Sequence, residues 1–82
     1  MNSSTHRQMA RTIVKTAAEQ TGTEMKALTA ELVVMNGFQC GRVLAVRPTR
    51  RADIWRISCM ADGAMDALAT YLMDARTGIV SA

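Results

Sequence analysis

Residue types suited to nucleophilic or metal chemistry are scarce in this sequence of 82 residues: Cys40, Cys59 and a single histidine, His6. Two thiols and one imidazole cannot complete a four-ligand zinc site within one chain. A Cys–His nucleophile would need His6, near the start of the chain, to reach one of the cysteines. Asp53, Asp62, Asp66 and Asp74 fall in or beside expected turns, where a carboxylate bonding nearby backbone N–H groups accounts for it without catalysis. Gly37-x-x-x-Gly41 lacks the Lys-Ser/Thr pair of a phosphate loop. The expectation is therefore a non-enzymatic protein with no catalytic residue, no metal and no cofactor. The cysteines are expected as two small buried thiols. A disulfide between them would require one particular hairpin register and fits poorly with a cytosolic location.

The residues with most capacity for binding are arginines. The net charge of +3 is uneven: residues 1–41 contribute +1, residues 57–82 contribute −2, and residues 42–56 contribute +4. That middle segment holds Arg42, Arg47, Arg50, Arg51 and Arg56 against Asp53 alone. Guanidinium forks suit phosphates and carboxylates alike, so these five form the candidate partner-binding set. Trp55 could offer a stacking face, but it alternates with Ile57 and Cys59 and is expected in the core.

Elements must position these groups. "THRQ" at 5–8 has capping-box form, and Met9, Ala10, Ile13, Val14, Ala17 and Ala18 follow at helical spacing. A helix over 5–20 is expected, with residues 1–4 flexible and Gly22 as its stop. Arg7, Arg11, Lys15 and Glu19 form its solvated row. The stretch 24–36, "EMKALTAELVVMN", reads two ways. As a helix it is capped by Thr21-x-x-Glu24 and ended by Gly37. As a strand it alternates Leu28, Ala30, Leu32 and Val34 and turns at Asn36-Gly37, pairing Glu31 with Arg42. The Asn-Gly turn and continuing alternation through Phe38, Cys40, Leu44 and Val46 tip the reading towards strand. Strands at 38–47, 54–60 and 67–73 complete the pattern, separated by "PTRRAD" and "ADGAMD". Pro48 must end the first of them. The fold class is α+β in a single domain over 1–82: an N-terminal helix on an antiparallel meander of three to four strands, or alternatively two helices followed by three strands.

The chain's last stretch adds a resemblance. Tyr71-Leu72-Met73-Asp74-Ala75, then Arg76-Thr77-Gly78, then Ile79-Val80 is similar to the closing hairpin of PepSY-like domains. There a tyrosine and apolar residues precede "DA-basic-TG" and a valine. "DIWRISCM" resembles that family's preceding strand, with Trp55 in the aromatic place. The likeness covers roughly residues 42–80, with a helix upstream as in the family, and implies a small protein-binding or peptidase-inhibiting module. Such domains usually act outside the cytoplasm, whereas "MNSSTHRQMA" lacks the apolar stretch of a secretion signal. No apolar run reaches the roughly 20 residues of a spanning helix. The sequence thus points to a cytoplasmic module that binds another protein, or itself through a sheet edge, with nucleic acid as the alternative partner of the basic hairpin and no role at a membrane.

Overall fold

A computed structural model describes residues 3–19, 22–60 and 68–82. Among them two helices precede an antiparallel sheet of four strands, in the order β1-β2-β3-β4. The helices are α1 (Ser3–Glu19) and α2 (Thr23–Met35); the strands are β1 (Arg42–Pro48), β2 (Ile54–Met60), β3 (Leu68–Asp74) and β4 (Val80–Ser81). This is the α+β class expected, in its two-helix form. The connection expected at 61–66, with Asp62, Gly63 and Asp66, lies outside the described residues, as does Thr21.

The strand reading of 24–36 is corrected: the segment is α2. Met25, Thr29, Leu32 and Val33 are its buried positions, a spacing of three and four that only a helix brings to one face. Asn36-Gly37 serves as the helix terminus. The Phe38 N–H bonds the Val33 carbonyl at 3.2 Å and the Gly37 N–H bonds the Val34 carbonyl at 2.9 Å. Gly37 sits at φ 93, which completes the left-handed Schellman closure. Glu31 consequently stands exposed on α2 and not opposite Arg42, whose strand partner is Met60. The capping box at Thr5–Gln8 does not form, because α1 already begins at Ser3 and takes in part of the segment expected to be flexible. Gly22, expected to stop the first helix, is the N-cap of α2 and accepts from the Lys26 N–H at 3.0 Å.

β2 and β3 alternate between two faces. Val46, Ile57, Cys59, Tyr71, Met73 and Val80 enter the core with Ala10 and Ile13 of α1 and Met25, Leu32 and Val33 of α2. Trp55 packs partly buried against this cluster. A bulge between Val43 and Ala45 shifts the β1 register, so Val43, and not Leu44, is the buried partner of Cys59. The extra residue turns the strand half-way round; strict alternation could not have located it. Cys40 and Cys59 form a disulfide with 5.4 Å between Cα atoms, which corrects the expectation of two thiols. Cys40 lies in the segment between α2 and β1, outside any strand, and so reaches β2 without needing a hairpin register.

The chain's ending is clasped to α2. Asn36 Nδ2 donates to the carbonyls of Leu32 at 2.9 Å and Gly78 at 3.1 Å, while Asn36 Oδ1 accepts from the Val80 N–H at 3.1 Å. One side chain therefore joins a helix end to the last hairpin. Gly78, at φ 77, lies so close to the first turns of α1 that a Cβ there would collide with the His6 carbonyl. Tyr71 adds a second tie, donating from its hydroxyl to the Gln39 carbonyl at 2.8 Å with its ring 5.0 Å from that of Phe38.

Candidate functional site: an uncovered basic sheet face

Cross-strand partners share a face of a sheet, so the register decides where the arginines point. Arg47 pairs with Arg56, Arg42 with Met60, and Arg56 in turn with Leu72. All three arginines therefore stand on the face turned away from the helices, and all are exposed. Arg42 and Arg47 are five residues apart and would occupy opposite faces of a regular strand; the bulge puts them on one. Arg50 and Arg51 lie at the tip of the β1–β2 connection. They line, with Arg56, Ile54, Leu72 and Thr49, a hollow of about 590 Å³. The structure thus gathers the five sequence-picked arginines along one side of the molecule, three on the sheet and two at its end.

The tip is built to hold its shape. The Thr49 N–H bonds the Ile54 carbonyl at 3.1 Å, the Thr49 hydroxyl donates to the same carbonyl at 2.8 Å, and the Arg51 N–H bonds back to that hydroxyl at 3.2 Å. Asp53 takes the positive φ of 66 that closes the turn. Its carbonyl accepts from the Ala75 N–H at 2.8 Å, coupling this tip to the turn that follows β3.

Charge on this side is mainly positive, with Asp74, opposite Ile54, as the strand carboxylate that shares it. Among the described residues the ion pairs involve Arg76 alone, with Asp74 at 3.1 Å and Asp53 at 3.9 Å. Asp74 accepts the Arg76 backbone N–H at 2.9 Å as well. The hydrogen bonds from the Arg76 side chain, then from its backbone, hold the Asp74 carboxyl below the usual carboxylate range. The carboxylates nearest the tip are therefore already committed to Arg76. Arg47 and Arg56 face each other directly, an arrangement that costs about 0.2–1 kcal/mol.

Around the arginines the face is aliphatic and small. Ile54, Met60, Leu68 and Leu72 share it with Ala45, Ser58 and Thr70. Leu68 is 68% exposed and Ile79, beside the edge, 58%. Trp55, Tyr71 and Phe38 lie on the helix side, so no aromatic ring of the described chain stands on the basic face. The sequence had pointed to the arginines but not to these aliphatic neighbours. Their exposure depends on which way β2 and β3 turn, and only the helices' choice of face settles that. Elsewhere His6 Nε2 is buried without a partner, beside a smaller hollow lined by Arg7, Arg76, Thr77 and Ile79. No three of His, Cys, Asp and Glu cluster among the described residues. Compared with family models, curated proteins and solved structures, the chain matches none.

Proposed function

We propose that this protein is a non-enzymatic binding module that captures an acidic segment of another protein on its uncovered sheet face. The observation that carries this reading is the Arg47–Arg56 pair. Two cations placed opposite one another work against the sheet, and an anionic partner turns that cost into attraction. Arg42 on the same face and Arg50 and Arg51 at the tip extend the positive surface. Ile54, Leu68 and Leu72 offer apolar contact between the charges.

Nucleic acid is the second reading, favoured by the arginine density. Against it, sequence-tolerant binding of single strands relies on aromatic platforms, and the described aromatics are on the other side. The resemblance of the final strand, turn and strand to PepSY-like domains fits an inhibitory or protein-binding role of the same class. On location, no helix among the described residues is long and apolar enough to cross a membrane. The cytoplasmic placement expected from the N-terminal residues pulls against the Cys40–Cys59 bond, which persists best in an oxidising compartment. We take the disulfide as the stronger guide. Alkylation of the protein inside intact cells tests this directly: protected cysteines mean an oxidising site, labelled ones a reducing one.

The function is tested by affinity capture from a lysate of the source cells, with and without nuclease, using the wild type and the R47E/R56E double variant. Nuclease-resistant capture that disappears in the variant, and that weakens as salt is raised, bears the reading out. Capture abolished by nuclease overturns it in favour of nucleic acid. A companion measurement separates function from folding. R56T should unfold at slightly higher denaturant than wild type, by about 0.5 kcal/mol, while binding more weakly.

A further inference from the structure

Resting on the reading that the partner is acidic, we infer that the partner joins the sheet as an extended strand along the free edge of β1. Among the described residues β1 is the outermost strand and pairs only with β2. The Thr49 N–H bonds Ile54, and antiparallel ladders alternate paired and outward residues. Counting back, Arg47 turns its backbone groups to β2 while Val46 turns its N–H and carbonyl outward. Pro48, which has no N–H to donate, also occupies an outward position, the place a proline tolerates.

The edge has a lined floor. Between α2 and the start of β1 lies a hollow of about 520 Å³, bordered by Lys26, Ala27 and Ala30 on the helix and by Arg42, Val43 and Leu44 on the strand. An incoming strand would direct alternate side chains to the two faces. Those on the open face meet Arg42 and Arg47 and call for carboxylates. Those on the other face meet Ala27, Ala30, Leu44 and the stem of Lys26 and call for small aliphatic groups. The recognised chemistry is thus an extended segment alternating acidic and aliphatic residues.

Arginines, a bulge and a terminal proline also guard edges against indiscriminate pairing. Guarding explains those three features and leaves the hollow beside them, with Ala27, Ala30 and Leu44 in its lining, unexplained. It also argues against a second copy as the occupant. β1 contains two arginines and no acid, so pairing it with itself brings only cations together.

The test uses the full chain, isotope-labelled, and a seven-residue peptide alternating valine and glutamate, the length of β1. Two further peptides carry N-methyl groups on alternate residues, one set in each register. We expect the Val46 amide to gain exchange protection on binding. One methylated register should lose at least about tenfold in affinity while the other keeps it, because only alternate residues bond the edge. A peptide with lysine in place of glutamate should not bind. Equal effects of the two registers, protection confined to Thr70 and Leu72, or no binding at all would overturn the edge proposal. So would protection of Val46 in a peptide-free dimer. If the peptide binds, is lost on R47E/R56E and ignores N-methylation, the open-face reading stands and the edge proposal falls.

Discussion

Asp74 and Asn36 show how single polar side chains close this molecule. Asp74 receives three bonds from Arg76, at 2.9, 3.3 and 3.1 Å, and its folded-state acidity is strengthened accordingly. A carboxyl whose folded pKa is depressed adds stability in full above its unfolded value, near 3.9. That addition is lost as pH falls through the lowered folded value. Stability should therefore drop on acidification below about pH 4, and D74N should remove part of that drop, as denaturant titrations at neutral and acid pH would record. Asn36 does more. Its amide satisfies a helix carbonyl, the Gly78 carbonyl and the Val80 N–H together, and no other residue type presents both donors and an acceptor at that reach. N36A should cost about 2 kcal/mol, from bonds lost and partners left unsatisfied. Thermal unfolding should fall by roughly 10 °C in a domain of this size.

At the scale of elements, what the sequence conveyed was set by how local the deciding physics is. The strand at 54–60 was legible because Trp55, Ile57 and Cys59 alternate with Arg56 and Ser58, and β2 is Ile54–Met60. The final turn was legible because Asp, Thr and Gly each have a local reason to be there. The stretch 24–36 misled because Leu28, Ala30, Leu32 and Val34 satisfy period two while Met25, Thr29, Leu32 and Val33 satisfy period three to four. Asn-Gly then serves a hairpin and a helix end equally well. Tertiary contact decided it: Val33 buries completely, as period two would not have required, while Val34 remains 55% exposed. The five arginines were legible as a group because composition alone concentrates them. Their common side was not, since it depends on the bulge at Val43–Ala45. Gly37 is the element-scale test. With φ at 93 and open space around the position, G37A should cost about 1 kcal/mol through backbone strain alone. G37N, tolerant of the left-handed region, should cost less. The loss should be read in the amides of residue 37 and Phe38, which donate to the Val34 and Val33 carbonyls, and amide exchange of the variants checks it.

For the whole molecule, the covalent tie matters because the core is small. A chain of this length buries only about 60–65% of the surface it exposes when unfolded, and domains of this size are stable by about 4–12 kcal/mol. The Cys40–Cys59 bond closes a loop with a sequence separation of 19. Restricting the unfolded chain over such a loop contributes about 3 kcal/mol, a large share of that total. The bond also fixes the segment between α2 and β1 against β2 at the head of the hollow beside the free edge. Reduction should therefore do two separable things. It should lower the unfolding midpoint of wild type while leaving C40A/C59A, already destabilised, unmoved. At temperatures where the reduced chain remains folded, it should also weaken capture of the acidic peptide, because Gly41 and Arg42 lose their anchor next to Cys40. Thermal unfolding and peptide titration, each with and without reductant, check both. A lowered midpoint with unchanged capture would limit the bond to holding the fold; loss of both, parallel in the reduced protein and in C40A/C59A, would make the redox state of the compartment a condition of binding.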